Sequence, residues 1–145
     1  MELKPIVDKV KKEIEKAPEI DGLCFYAANN LKYDLDSENI ESEIFNIRDL
    51  ADIDFDHYFI LAKLDNDYLI DLTYSQFARK KGMNIRFFDN WPEEVLKSTK
   101  EGEQLLNNLI KDGYSLINDD LFYQYIHSFN EKIEPFFTIE DVKIR

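Results

Sequence analysis

"HYFILAKLDNDYLIDLTY", residues 57–74, is the stretch on which the fold turns. Two runs of aromatic and branched residues flank "DND", the signature of a β-hairpin. Upstream, "SEIFNI" at 42–47 adds a short strand. Downstream, "MNIRFF" at 83–88 reads as another, after a turn at Lys80-Lys81-Gly82.

Outside this block the apolar period changes from two to about 3.6. Leu3, Ile6, Val7, Val10 and Ile14 recur at helical spacing and predict a helix over 3–17. Ala17-Pro18 ends it, because the residue before a proline is pushed out of the α region. After the Asp21-Gly22 turn, Cys24, Ala27, Ala28, Leu31 and Leu35 form a second stripe, for a helix over 23–35 with Cys24 in its first turn. Pro92, Glu93 and Glu94 suit a helix N-terminus, and that helix closes at Asp112-Gly113. A last helix covers 118–133, with Asn118 or Asp119 as its cap. The expected class is therefore α+β, with N-terminal helices packed on a small antiparallel sheet and C-terminal helices after it. One domain spans 1–145, with a segment 22–77 distinct from a helical C-terminal part at 90–133.

With 145 residues and a 44% hydrophobic fraction, the chain can bury a core without staples. One cysteine allows no internal disulfide, and with two histidines it makes a structural zinc site improbable. The N-terminus lacks the apolar run of a Sec signal peptide, and no stretch approaches a membrane span. Cytoplasmic synthesis is expected, with delivery into a target cell by a specialised route leaving no mark. The net charge of −12 speaks against nucleic acid, whose phosphates need clustered Lys and Arg. The acidity concentrates at 33–56, where Asp and Glu outnumber a single Arg many times over.

Cys24 has two readings. It is a small apolar residue under a helix, or it is a nucleophile whose helix N-terminus and nearby imidazole favour the thiolate. His57 opens the first hairpin strand and Asp71 ends the second, which supplies the partners a catalytic thiol needs. The histidine takes the thiol proton and returns one to the leaving amine, while a carboxylate behind it fixes the ring. Backbone N–H groups at the start of the cysteine helix can form part of an oxyanion hole. Even spacing lets His57 and Asp71 share a face. A tight turn centred on Asn66 sets Asp71 opposite Leu61, about 13 Å along the strand from His57, whereas twist, a bulge or a turn shifted towards Lys63 would bring the two together.

"GLCFYAANNL" at 22–31, "HYFILA" at 57–62 and "YLIDLTYSQF" at 68–77 carry a resemblance. Their order resembles the Cys–His–Asp series of the papain-like superfamily, and is most similar to the transglutaminase-like and glutamine-deamidase-like domains of bacterial toxins. The resemblance implies a papain-like fold, with Cys24 as nucleophile, His57 as general base and acid, and Asp71 as the orienting residue. Gly22 and Leu23 ahead of the helix, Thr73 of the Asp-x-Thr pattern, and Gln76 before Phe77 would support them. No cofactor is implied. Papain-type proteases carry a glutamine shortly before the cysteine, and "APEID" at 17–21 has no amide side chain.

That departure favours acyl transfer over peptide hydrolysis. The expected activity is deamidation or transglutamination of a glutamine-bearing target protein, in a toxin or effector, with a cognate inhibitor or immunity protein as a further partner. A cysteine protease is the nearest enzymatic alternative. The rival of another class is a non-catalytic acidic inhibitor or immunity protein that covers a basic partner. His127, amid aromatics, reads as a core-edge histidine, and "DLADIDFD" at 49–56 lacks the ligand order of an EF-hand. Trp91 reads as a packing anchor.

Overall fold

The computed structural model describes residues 3–16, 23–47, 57–74 and 92–129. The elements run α1 (Leu3–Glu15), α2 (Cys24–Ser37), β1 (Glu41–Ile47), β2 (His57–Lys63), β3 (Asp67–Ile70), α3 (Pro92–Leu96), α4 (Lys100–Asp112), β4 (Tyr114–Leu116) and α5 (Asp119–Phe129). All four strands pair antiparallel in the order β1-β2-β3-β4. The α+β class and the sequence of helices, sheet and helices are as expected. The expected strand at 83–88, Gly22, Gln76 and the end of the last helix lie outside the described residues.

The sheet is covered on both faces. Ile60, Ala62 and Ile70 pack with Leu3, Ile6 and Val10 of α1 and Ala28, Leu31 and Leu35 of α2. Phe45, Phe59, Leu61 and Leu69 pack with Leu105 and Leu109 of α4 and Phe122, Tyr125 and Phe129 of α5. A strand buried on both faces carries apolar residues at consecutive positions, which is why Phe59–Ala62 forms an unbroken run. Each large side chain sealed here contributes about 1.5–3 kcal/mol of burial.

The hairpin takes the register shifted towards Lys63. Lys63 pairs with Asp67 and Leu61 with Leu69, so the turn is centred on Asp65 rather than Asn66. Within it the Leu64 N–H donates to the Asn66 carbonyl, and the Asn66 N–H donates to Asp65 Oδ1 at 2.9 Å. This short-range aspartate bond sets the shape of the turn. Continued one step past Ile70, the register sets Asp71 opposite Phe59 instead of Leu61. It becomes a diagonal neighbour of His57, within side-chain reach.

Two further corrections concern the C-terminal part. The single helix expected from Pro92 is two helices, α3 and α4. Thr99, extended at φ −126° and ψ 158°, breaks it and caps α4 by accepting from the Gly102 N–H. The part is also not purely helical, since three residues after α4 form β4 on the edge of the sheet. The expected cap of the last helix is Asn118, whose Oδ1 accepts from the Leu121 N–H.

Gly113 makes the reversal from α4 to β4 at φ 84°, a conformation that disfavours a Cβ. Its carbonyl accepts the Asp71 N–H at 2.9 Å, so this turn also holds the end of β3. Gly113→Ala is expected to cost about 1–3 kcal/mol, read as a lowered urea midpoint with an unchanged slope.

Candidate active site

α2 delivers Cys24 to the sheet end. Its buried residues Ala28, Leu31 and Leu35 seat the helix on the face of Ile60 and Ala62. The first turn, with Cys24, stands where β2 begins. The residue ahead of it, Leu23, has no side chain to cap the helix, and no side-chain cap bond is formed there. The first N–H groups of a helix have no intrahelical acceptors.

His57, the first residue of β2, points to the other face, into the aromatic core. Its ring lies 5.0 Å from that of Phe129 and 5.7 Å from that of Phe59, centroid to centroid. Nε2 donates to Asp71 Oδ2 at 2.8 Å, with both side chains fully buried. The Cys24 side chain lies close enough to the same imidazole to help raise its pKa. Cys24, His57 and Asp71, named from sequence, therefore meet in one place. Thr73 is buried nearby along the chain.

Sequence reading missed Tyr125. Its hydroxyl donates a short bond to Asp71 Oδ2 and lies 3.4 Å from His57 Nε2. Burial foremost, and then the negative charge of Asp71, raise its pKa well above that of a free phenol. It therefore stays protonated and acts as a donor. One signal was present: a tyrosine inside the apolar stripe of Phe122, Ile126 and Phe129, where a buried hydroxyl must find a partner. His127 is half-buried against Tyr123, at 4.9 Å between ring centres, and stands apart from the site.

Two opposed effects set the charge of His57. Burial disfavours the imidazolium. The Asp71 carboxylate outweighs burial through its charge and its hydrogen bond, with Cys24 adding to it, and the pKa rises from 6.5 to about 9. His57 is thus held protonated at neutral pH, with Nε2 committed to Asp71. Asp71 Oδ1 has no hydrogen-bond partner among the described residues.

Access is narrow. Cys24 is 4% exposed, while the next two residues on α2, Phe25 and Tyr26, are about half exposed at 50% and 51%. Among the described residues no group of three or more His, Cys, Asp or Glu side chains is arranged to hold a metal ion. No helix among them is long and apolar enough to cross a membrane.

Comparison with protein-family models, with curated proteins and with solved structures finds no match to this chain.

A raised histidine pKa stabilises the fold below the unfolded value, and that stability is lost as pH rises through the folded value. Urea unfolding is expected to lose about 3 kcal/mol between pH 6.5 and 9, and His57→Gln to lack this dependence. Tyr125→Phe, which removes one donor to a buried carboxylate, is expected to cost about 1.5–3 kcal/mol at pH 7 by the same measurement.

Proposed function

We propose that this protein is a cysteine-dependent acyl-transfer enzyme acting on protein amide groups, with a papain-like arrangement of Cys24, His57 and Asp71. One observation carries the reading: a single buried imidazole is bonded through Nε2 to the Asp71 carboxylate and lies near the Cys24 side chain, which adds to the rise in its pKa. A cysteine, a histidine and an orienting carboxylate in that chain of contacts are the parts that thiol catalysis needs. The order of the three along the chain, and the resemblance that order carries, support the same reading.

The steps follow from the contacts. Asp71 holds Nε2, so Nδ1 is the nitrogen that exchanges a proton with the sulfur. A positive imidazolium beside it is the setting in which a cysteine works as a thiolate. The sulfur attacks the carbonyl carbon of a carboxamide, and the oxyanion faces the first-turn N–H groups of α2. His57 gives its proton to the leaving nitrogen and ammonia departs, leaving a thioester on Cys24. The neutral imidazole then takes a proton from water, whose oxygen attacks the thioester and releases the acid. An amine in place of water completes transglutamination. Tyr125 and the surrounding rings exclude water from Asp71, so its charge stays directed at His57.

A glutamine side chain on a target protein is the substrate we favour over a peptide bond, because an amide side chain is missing ahead of Cys24. A toxin or effector setting, with a cognate inhibitor, rests on the resemblance. The near-complete burial of Cys24 and the net charge of −12 favour a second reading, an acidic binding protein that covers a basic partner.

Incubation with candidate target proteins, followed by mass spectrometry, separates the two. The enzyme reading expects the mass gain that replaces an amide by an acid, none with Cys24→Ala, and a rate at least roughly a hundredfold lower with His57→Ala. A Cys24 thiol that reacts with iodoacetamide no faster than free cysteine, in a chain that binds basic proteins tightly, would establish the second reading instead.

A further inference from the structure

Asn46 is a buried amide that neither the fold nor the steps above use. It is 5% exposed, and its Oδ1 has no hydrogen-bond partner among the described residues. Such a group costs stability in any fold and calls for a reason.

Its place in β1 suggests one. Phe45 and Ile47, its neighbours, point into the aromatic core, so the alternation of a strand turns Asn46 to the face that α2 covers. It stands directly opposite Tyr58, whose ring packs against Phe25 of the first helical turn at 4.9 Å. Farther along, Lys32 Nζ donates to the Ser42 carbonyl at 2.7 Å and pins α2 over β1. From Lys32 back to Cys24 the helix travels about 12 Å. From Ser42 on to Asn46 the strand travels about 13 Å. The two displacements match, so Asn46 lies beneath the first turn of α2. Its strand neighbour Ile47 pairs with His57.

We propose that Asn46 is a substrate-positioning residue whose side-chain amide pairs with a primary carboxamide presented to Cys24. This rests on the reading of Cys24 as a nucleophile. Oδ1 accepts one N–H of the substrate amide, and an Asn46 Nδ2–H donates to the substrate carbonyl. An ester or a tertiary amide lacks the donor that Oδ1 requires. A carboxylate product lacks it too and sets its negative oxygen against Oδ1, so the same pairing that holds the substrate releases the acid.

The test uses the full chain and two alkylating reagents, iodoacetamide and N,N-dimethyl-2-iodoacetamide. In both, the Cys24 sulfur bonds to the CH2 carbon and the C–I bond breaks. Iodide leaves with the electron pair and the thiol proton passes to solvent. Only the first reagent carries N–H groups. With each rate divided by that of the same reagent with glutathione, the native protein is expected to prefer iodoacetamide by about tenfold, the scale of one net hydrogen bond. Asn46→Leu should bring that ratio near one, leave the rate with the dimethyl reagent unchanged, and raise the urea midpoint. In parallel, the Asn46 side-chain NH2 signals of the native protein should shift on titration with propionamide and not with N,N-dimethylpropionamide or propionate. An unchanged ratio in Asn46→Leu, or no selective shift, overturns the role of Asn46 and leaves Cys24 as nucleophile. Failure of both reagents to alkylate Cys24 overturns that earlier reading and this one with it.

Discussion

A carboxylate sealed from water between an imidazole and a phenol is the constraint to which the rest of this structure answers. Asp71 is 1% exposed, and a charge taken out of water is tolerated only when it is paired and hydrogen-bonded. His57 supplies the pairing charge and Tyr125 a second donor to the same oxygen. The three come from strand β2, the end of β3 and helix α5. Meeting that one requirement therefore locks the hairpin register and the seating of the last described helix.

The two faces of the sheet have separate tasks. One is an apolar seat for α1 and α2, which sets the position of the helix that begins at Cys24. The other is an aromatic core that surrounds His57 and Asp71 and lowers the local dielectric. At the end where β2 begins, the helix start on one face and the imidazole on the other come close enough for Cys24 to act on the charge of His57. Cys24 is itself buried at the start of α2, as are His57 and Asp71 in the sheet. A proton is held on His57 at neutral pH despite that buried position, because the nearby carboxylate outweighs the burial that would otherwise remove it.

The C-terminal part is a builder of the site rather than an appendage to it. The carbonyl of Gly113 accepts the Asp71 N–H, and β4 extends the sheet beside β3. Tyr125 reaches the carboxylate from a helix whose stripe of Phe122, Ile126 and Phe129 is driven inward by burial alone. The segment that carries the resemblance, 22–77, therefore does not contain every group that touches Asp71.

Much of this was written in local periodicity. The stripe from Leu3 to Ile14, the stripe from Cys24 to Leu35 and the two runs around Asp65 specify helix, helix and hairpin, because apolar spacing reports a face that repeats every few residues. The chain order of Cys24, His57 and Asp71 was likewise legible, as residue types suited to one chemistry. The sequence alone did not decide the turn centre, since "DND" accommodates Asn66 or Asp65 and the choice depends on which backbone bonds close. Nor did it decide the break at Thr99 inside a helical pattern, the three-residue β4, the donor Tyr125 or the amide of Asn46. Each of those depends on contacts between residues far apart in the chain, and only the packed tertiary structure brings such residues together.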